Sequence, residues 1–422
     1  MKKVFTCTIL ILFILLNINL TSKFGRADSS YWYRVWGGEG HDECTAIALD
    51  SSENIYLAGS IKSFGVGHSA ICLVKFNNAG NYQWNKTFGG NASDLGMAIA
   101  IDSADNIFLA GRIYNYNYSN YDFVLIKYDS SGNYQWNKTW DSGVDDWCYT
   151  MILDSLENIY LAGSSYIEPN NEDFCLVKFD HLGNFMWNRT WGGSYNDRYI
   201  AIAIDTSDNV FLLGDTESFG AGNYAMCLVN YNNTGNLQWY TIWSGSEGDF
   251  SGAIVLDHLE NIYIVGTSYK AGFSDCSLVA FDKLGNYQWN KTWGSENTYE
   301  GCHSVLIDSG GNLYLAGTKS DQYCIVVYNT NGTFQRTKSQ KIYHVGVVTG
   351  MVQDTKGNIY IGGIVYTNGA NEHEFLLIKN LHLFPEQQIS GYYPIFLVIA
   401  IGMFSSGIIL KTKTSNNKKS KI

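Results

Sequence analysis

The sequence has little proline and little charge. It has only three prolines in 422 residues, and Asp, Glu, Lys and Arg together make up 16% of the chain, against roughly 25% in an average soluble protein. Aromatic residues reach 15%, including 30 tyrosines, and there are 43 glycines. This apolar and aromatic content excludes an intrinsically disordered chain. Few prolines, many glycines and many tyrosines are typical of β-strands joined by tight turns.

The central part of the chain is poor in basic side chains. Of the 28 Lys and Arg residues, four lie in 1–27 and five lie after residue 390, whereas all 39 Asp and Glu residues lie in 28–390. That central part therefore carries 19 basic and 39 acidic side chains, a net charge of −20. Because nucleic-acid binding requires a basic surface, this composition excludes a protein that reads the phosphate backbone.

Long apolar runs lie near the two ends of the chain. The run 4–16 follows Lys2 and Lys3 and is too short to span a bilayer comfortably, which predicts a secretory signal peptide over 1–27. An uncleaved anchor is the alternative. The run 392–410 has 19 residues without a charge, enough to cross a hydrocarbon core of ~30 Å as a helix. A buried core helix is the alternative for this second run.

The residues around the second run predict its orientation. A short linker, 385–391, precedes it and a lysine-rich tail, 411–422, follows it. Since the positive-inside rule places such tails in the cytoplasm, we expect a single-pass protein of the cell membrane with residues 28–384 outside the cell. The layout also resembles the C-terminal sorting anchors of archaeal and bacterial surface proteins, in which the span can be processed.

The string D-x3-N-[IVL]-[YF]-[LI] recurs seven times. Its spacings are 52, 52, 51, 52, 51 and 46 residues, and its asparagines are Asn54, Asn106, Asn158, Asn209, Asn261, Asn312 and Asn358. A period of this length, with short strands and turn signals throughout, indicates a β-propeller. Each unit reads as four strands, of which the first, such as 46–50, is apolar on both faces. The pattern therefore predicts an all-β protein with one blade per repeat.

A second marker, W-x3-[WF], lies in the fourth strand of the first five units. The seventh unit stops short of any such strand, yet Trp32 and Trp36 near the N-terminus have the same spacing, and Trp32 lies 52 residues before Trp84. We therefore expect the N-terminal segment to supply the outermost strand of the last blade, which leaves no open sheet edge at the closure. The fold prediction is a seven-bladed β-propeller over 28–384.

The repeat D-x3-N-[IV]-Y-[LIV]-x-G, followed by L-V-K-[FY]-[DN]-x2-G-N-x2-W, resembles the SBBP-type seven-bladed β-propeller repeat family. The resemblance covers about 30–384. It implies a secreted or surface-tethered propeller of bacterial or archaeal type. It implies no particular reaction, since propellers host many functions.

Two sets of acidic residues occupy fixed places in the repeats. The first set lies eight residues before the turn aspartate, in the loops that enter the innermost strands: Asp42, Asp94, Asp146, Asp197, Asp249 and Glu300. We expect these acids around one mouth of the central channel, either as a collar for a cation or cationic ligand or as caps on backbone N–H groups between blades. The second set precedes the third strands: Asp122, Asp173, Asp275 and Glu374.

The second acidic set is interleaved with tyrosines of the variable loops. These tyrosines are Tyr114, Tyr116, Tyr118, Tyr121, Tyr166, Tyr224 and Tyr269. The first and third strands of a four-stranded antiparallel blade start on the same face, so both acidic sets share one rim. Tyrosine on variable loops suits contacts with a protein or a sugar, and solvated polar loops are the alternative.

Cysteines recur in three of the units. First-strand and third-strand cysteines occur together only there: Cys44 with Cys72, Cys148 with Cys175, and Cys302 with Cys324. Outside the cell this co-occurrence suggests three bridges, 44–72, 148–175 and 302–324. First and third strands lie ~9–10 Å apart, beyond disulfide reach unless the strand ends converge. Buried free thiols are therefore the alternative.

The sequence predicts no cofactor. An acid precedes the turn asparagine in five units, which makes calcium an alternative there, but the D-x-D-x-D-G spacing of calcium loops does not occur. Motifs of zinc hydrolases, serine hydrolases and phosphate loops do not occur either. His41 and His303 border the channel rim and could act as a base beside an acid, although single loop histidines are usually solvated.

The repeated N-[KR]-T of the outermost strand forms glycosylation sequons. They begin at Asn85, Asn137, Asn188 and Asn290, where a glycan would have room. Ordinary exposed strand residues are the alternative.

Together these features predict a membrane-anchored propeller at the cell surface that binds a protein or a glycan at its loop face without catalysis. One alternative is an extracellular hydrolase or lyase with its site at the acidic channel mouth, and another is a structural protein of the cell envelope. A catalytic site needs non-repeated polar residues clustered on one face, whereas the acids above mostly repeat.

Overall fold

The structure is a computed structural model that describes part of the chain. It describes residues 31–380, apart from 65–67, 90–91, 169–170, 221–223, 245–247, 271, 296–297, 320–321, 341–344 and 368–371, together with the backbone of 396–400 and 409–411. The predicted signal peptide and linker lie outside these residues, as does the basic tail after its first lysine. The predicted span 392–410 is described only as the backbone of two short strands. Within the described residues, no helix is long and apolar enough to cross a membrane.

The described chain forms seven antiparallel blades of four strands each, and two short C-terminal strands extend the sheet of blade 1 to six strands. Counted from blade 1, the innermost strands are β2 (Glu43–Leu49), β6 (Leu95–Ile101), β10 (Asp146–Leu153), β14 (Asp197–Ile204), β18 (Asp249–Leu256), β22 (Glu300–Ile307) and β26 (Val345–Gln353). The second strands are β3 (Ile55–Ile61), β7 (Ile107–Asn115), β11 (Ile159–Glu168), β15 (Val210–Thr216), β19 (Ile262–Lys270), β23 (Asn312–Lys319) and β27 (Ile359–Thr367).

The outer half of each blade follows the same order. The third strands are β4 (Ala70–Phe76), β8 (Asn120–Tyr128), β12 (Asn171–Phe179), β16 (Ala225–Tyr231), β20 (Phe273–Phe281), β24 (Gln322–Asn329) and β28 (Glu372–Asn380). The outermost strands are β5 (Tyr82–Gly89), β9 (Tyr134–Trp140), β13 (Phe185–Trp191), β17 (Leu237–Trp243), β21 (Tyr287–Trp293), β25 (Phe334–Gln340) and, in blade 7, β1 (Tyr31–Trp36). The backbone of β29 (Phe396–Ala400) pairs with β2 and with β30 (Ile409–Lys411).

The ring is closed by the N-terminal strand. β1 pairs with β28 antiparallel, from Tyr31 opposite Asn380 to Trp36 opposite Phe375. The Trp36 ring packs edge-on against Phe375, with 5.3 Å between the ring centroids. The predicted all-β, seven-bladed propeller with a borrowed outermost strand is therefore confirmed.

The fourth-strand tryptophans pack blade against blade. Each lies against the glycine that turns the chain between the third and fourth strands of the next blade: Trp32 on Gly80, Trp84 on Gly132, Trp136 on Gly183, Trp187 on Gly235, Trp239 on Gly285 and Trp289 on Gly332. These glycines have positive φ, for example 76° at Gly80, and a Cβ there would collide with the indole. The W-x3-[WF] marker and the turn glycine are therefore two halves of one contact between blades.

The acids of the D-x3-N turns join blades at the opposite end of the strands. The acid before the asparagine has a left-handed φ, 61° at Glu53 and at Asp105. Its carboxylate accepts hydrogen bonds from a Ser or Thr in the turn of the preceding blade. The pairs are Ser51 with Asp105, Ser103 with Glu157, Ser155 with Asp208, Thr206 with Glu260 and Thr355 with Glu53. In blades 6 and 7 the acid is replaced by Gly311 and Gly357.

The predicted disulfides are wrong. Cys302 of β22 is bonded to Cys276 of β20, with 5.1 Å between the Cα atoms, so the bridge joins blade 6 to blade 5. The other described cysteines are buried free thiols: Cys44, Cys72, Cys148, Cys175, Cys227 and Cys324. In blade 1, Gly59 of the second strand stands between Cys44 and Cys72 in the ladder. A whole strand therefore separates each predicted pair, whereas strands of adjacent blades approach closely enough.

Candidate functional site

The first acidic set lies at the starts of the innermost strands and is buried. Asp42 shows the pattern, because it accepts hydrogen bonds from the backbone N–H groups of Gly38 at 2.9 Å, Lys62 at 3.0 Å and Ser63 at 3.1 Å. Asp146 accepts from Ser142 N–H at 2.7 Å. These carboxylates thus tie the loop before the first strand to the loop after the second.

The remaining members of this set also accept hydrogen bonds. Asp94 accepts a hydrogen bond from Tyr114 N–H, and Asp197 accepts one from Gly193 N–H. Asp249 accepts a hydrogen bond from the Ser268 hydroxyl. Glu300 accepts one from the Thr298 hydroxyl and forms an ion pair with Lys319. Backbone N–H groups are thus capped by Asp42, Asp94, Asp146 and Asp197, whereas Asp249 and Glu300 bond to side chains. In the part of the chain that the structure describes, no three His, Cys, Asp or Glu side chains are arranged to hold a metal ion.

The second acidic set lies on the same rim. Burial raises the pKa of Asp122 to about 6 and that of Asp173 to about 6. Asp122 accepts a hydrogen bond from the Asn115 amide at 2.8 Å. Asp275 and Glu374 lie beside glycines that follow outermost strands, Gly294 and Gly37. The four acids belong to four different blades and form no cluster with one another.

The two rim histidines have different surroundings. His41 meets His373 edge-to-face at 4.6 Å between ring centroids, and His373 Nδ1 lies 3.2 Å from Glu43 Oε1. The Tyr366 ring also contacts His373, with 4.8 Å between the two ring centroids. His303 lies on β22, where burial lowers its pKa to about 4. A histidine with that pKa is neutral at pH 7.

Non-repeated residues mark one sector of the loop face. The residue after the second-strand glycine is Ser60, Ser164, Thr267 or Thr318 in four blades, but Arg112 in blade 2, Asp215 in blade 4 and Ile364 in blade 7. The residue after the first-set acid differs from blade to blade and is Trp147 in blade 3, Arg198 in blade 4 and Phe250 in blade 5. Arg198 lies directly across the ladder from Asp215. The Arg, Trp and Phe residues at these two positions fall in the adjacent blades 2 to 5.

Arg112 lies among aromatic rings. Its guanidinium carbon is 3.9 Å from the centroid of the Trp147 ring and 5.1 Å from that of Tyr121. Trp147 in turn contacts Tyr166, with 5.1 Å between centroids. Arg112 Nε and Trp147 Nε1 are both buried and have no hydrogen-bond acceptor among the residues that the structure describes.

Arg198 continues this contact network into blades 4 and 5. Its Nε lies 3.3 Å from Glu172 Oε2, and Glu172 also bonds the Tyr166 hydroxyl. The Arg198 guanidinium is 5.8 Å from the Tyr224 ring, and Tyr224 lies 5.2 Å from Phe250. Phe250 contacts Tyr269 at 5.7 Å.

We call this connected set the loop-face patch. It comprises Arg112, Tyr121, Trp147, Tyr166, Glu172, Arg198, Tyr224, Phe250 and Tyr269. The Arg198 side chain is 46% exposed and Tyr269 is 40% exposed, so the patch reaches solvent. Next to it, Asp215 accepts a hydrogen bond from Ser251 N–H at 2.7 Å, and burial raises the pKa of Asp215 to about 7.

Sequence reasoning identified the tyrosines of the patch but missed its arginines, Trp147, Glu172 and Phe250. Arg112 interrupts a position that is Ser or Thr in four blades, whereas Trp147, Arg198 and Phe250 occupy a position that differs in every blade, so periodicity does not mark them. Alignment of the seven units on the turn asparagine reveals Arg112 as a departure from a position that is Ser or Thr in four units.

The sequon asparagines lie on the outermost strands. Asn137, Asn188 and Asn290 are exposed, and Asn85 is partly buried. The Asn85 and Asn290 side chains accept hydrogen bonds from the Tyr82 and Tyr287 hydroxyls, each at 2.7 Å.

No family model matches the chain. An uncharacterized WD repeat-containing protein, L264 of Acanthamoeba polyphaga mimivirus, is 24% identical over 335 residues, which cover 68% of this chain and 21% of that protein. The chain thus spans about a fifth of the length of this curated relative. The solved polysaccharide lyase Uly1 has a TM-score of 0.53 at 10% identity. The match covers 81% of this chain and 90% of the lyase chain. The periplasmic gluconolactonase PpgL of Pseudomonas aeruginosa has a TM-score of 0.52 at 9% identity. The match covers 75% of this chain and 93% of the gluconolactonase chain. At these identities the two structures show the propeller fold alone.

Proposed function

We propose that the chain is a cell-surface propeller, anchored in the membrane by residues 392–410, that binds a protein partner through the loop-face patch. The observation that carries this proposal is the concentration of non-repeated Arg, Trp and Phe residues in adjacent blades. Trp, Tyr and Arg supply most of the binding energy in protein interfaces. The extracellular location, the signal peptide and the glycans at the sequons are proposals from the sequence.

Ring orientation and charge favour a protein over a glycan as the ligand. Trp147 and Tyr166 meet at 59°, and Phe250 and Tyr269 at 77°. Rings at such angles do not line up as one flat platform for stacked sugars. The net charge of −20 over residues 28–390 also repels polyanionic glycans.

The experiment displays the full-length chain on the surface of its host cells and labels neighbouring proteins. A patch variant, Tyr224→Ser with Phe250→Ser, is compared with the control Leu156→Ser. Leu156 is an exposed leucine in a D-x3-N turn, at the end of the blades opposite to the loop face. We expect the wild type and Leu156→Ser to label the same set of surface proteins. The patch variant should not label that set. Equal labelling by the patch variant overturns the proposal, as does loss of labelling after enzymatic removal of host glycans.

A second candidate function is a hydrolase or lyase of the same face. It is favoured by the group of His41, His373, Glu43 and Tyr366, in which Glu43 is placed to orient one histidine. Histidine beside a carboxylate is a common general acid–base pair. Turnover of any ester or glycoside by the wild type that disappears in both His373→Ala and Glu43→Gln would support it.

A further inference from the structure

Arg112 differs in its partners from three other described arginines, Arg34, Arg189 and Arg198. Arg34 and Arg189 donate hydrogen bonds to the backbone carbonyls of Gly80 and Gly235, and Arg198 pairs with Glu172. Within the described residues, Arg112 has neither a carboxylate within ion-pair distance nor a carbonyl acceptor. Its Nε is buried without a partner.

The environment of Arg112 makes this costly in the free protein. Burial lowers the pKa of Arg112 by desolvation, yet a guanidinium remains charged at neutral pH. Arg112 is half-buried, and the cost of its unpaired charge falls on the buried Nε, whose N–H has no acceptor among the described residues. The stacked Trp147 ring provides cation–π attraction at 3.9 Å, but its own Nε1 also lacks an acceptor.

Asp145, the acid that acts electrostatically on Arg112, does not neutralise it by direct contact. Asp145 acts on Arg112 at a distance, but its Oδ1 accepts a hydrogen bond from Tyr121 N–H at 2.8 Å. The cation therefore has an electrostatic neighbour and no direct partner among the described residues. Such a group is suited to receive an anion from outside the chain.

We propose that Arg112 is the anchor for a single carboxylate of the protein partner, carried by an acidic side chain or by its C-terminus. A carboxylate is planar and accepts two parallel hydrogen bonds from a guanidinium. The surrounding Trp147 and Tyr121 rings exclude water, which strengthens the pairing. One carboxylate suits the site better than a polyanion because of the negative charge of the whole domain. This inference rests on the proposed function.

The test uses the full-length chain in detergent micelles and two small probes, N-acetylphenylalanine and its amide. Binding is followed by the ¹⁵N-labelled indole signal of Trp147, assigned with Trp147→Phe. We expect the acid to shift this signal and the amide to bind about tenfold more weakly, since a charged hydrogen bond contributes roughly 1.5–3 kcal/mol. Arg112→Gln should weaken binding of the acid by a similar factor, and Arg112→Lys should restore part of it.

Arg189→Gln is the matched control, because Arg189 lies on an outermost strand. Equal binding of acid and amide, unchanged binding in Arg112→Gln, or no response of Trp147 to either probe overturns the inference. Binding of glucuronic acid but not of N-acetylphenylalanine would assign the carboxylate to a sugar and overturn it too. If Arg112→Gln still labels the same surface proteins, only this inference fails. If Tyr224→Ser with Phe250→Ser labels them, the proposed function itself fails.

Discussion

Glu53 of blade 1 accepts hydrogen bonds from the backbone N–H and the hydroxyl of Thr355 in blade 7, across a sequence separation of 302 residues. The N–H bond measures 3.2 Å. This contact joins the two ends of the ring at the turn side of the blades. It is the same contact that links four other pairs of neighbouring blades, so the turn acids connect blades in series.

Glu53→Ala should therefore destabilise the propeller. Loss of the hydrogen bonds to Thr355 should cost about 1 kcal/mol. Glu53→Gly should cost less, because φ at Glu53 is 61° and glycine adopts that angle without strain. Glu39→Ala, at an exposed position, is the control. Thermal melting measures the expected order of stability, which is wild type, then Glu53→Gly, then Glu53→Ala. Equal melting temperatures of Glu53→Ala and the wild type would contradict the prediction.

The N-terminal strand should be essential for the stability of the whole ring. A chain lacking residues 28–38 loses β1, leaves the edge of β28 unpaired and exposes the ring of Phe375. Trp36→Ala alone should cost about 3–5 kcal/mol, since Trp36 is 4% exposed. Unchanged melting of the truncated chain would be incompatible with closure by β1.

Closure was predictable from the sequence, but the bridge between blades was not. Trp32 and Trp36 keep the spacing of the outermost strand, so the missing strand could be located by periodicity. Cys276 and Cys302 occupy different positions in two different repeats, and periodicity relates only equivalent positions. The patch was missed for a related reason, because its Arg, Trp and Phe residues do not recur at equivalent positions.

The Cys276–Cys302 bridge should stabilise the junction of blades 5 and 6. The bridged residues are 26 positions apart, and closure of a loop of this length contributes about 3 kcal/mol. We expect a reducing agent to lower the melting temperature of the wild type. It should leave the melting of Cys276→Ser with Cys302→Ser unchanged. Cys227→Ser, which alters a buried free thiol, is the control and should retain the response to reduction.

Asp215 should make stability depend on pH in an unusual direction. Burial raises its pKa in the folded state to about 7, above its value in the unfolded chain, so the folded state holds the extra proton between about pH 4 and 7. The stabilisation from this proton is complete at acid pH and is lost as the pH rises through 7. Arg198 and Asp249 also act on this carboxyl.

Asp215→Asn isolates this contribution from that of other groups. The amide oxygen can still accept the hydrogen bond from Ser251. The variant should match the wild type near pH 4 and be more stable at pH 8, because the wild type loses stability as the pH rises from about 4 to 7. Urea titrations at the two pH values give the difference between the proteins. A variant that is less stable than the wild type at pH 8 would contradict the raised pKa.

The junction of blades 6 and 7 should be the weakest of the ring. Gly357 replaces the turn acid there, and Arg336 replaces the tryptophan that packs on the next blade. The junction of blades 5 and 6 also lacks the turn acid, because Gly311 stands in its place, but the Cys276–Cys302 disulfide joins these two blades. We expect the amides of β26 to exchange with solvent faster than those of β10, as measured by native-state hydrogen exchange.

Restoring the missing acid should strengthen this junction. In Gly357→Glu the new carboxylate can accept from Ser309, which occupies the donor position of the preceding turn, whereas Gly357→Ala has the same positive φ, 83°, without an acceptor. The difference between the two variants should be about 1 kcal/mol in favour of glutamate. At Gly311 the donor position holds His258, so Gly311→Glu and Gly311→Ala should not differ in this way. Equal stability of Gly357→Glu and Gly357→Ala would show that the turn acids do not hold the blades together, because the only designed difference between them is the acceptor for Ser309.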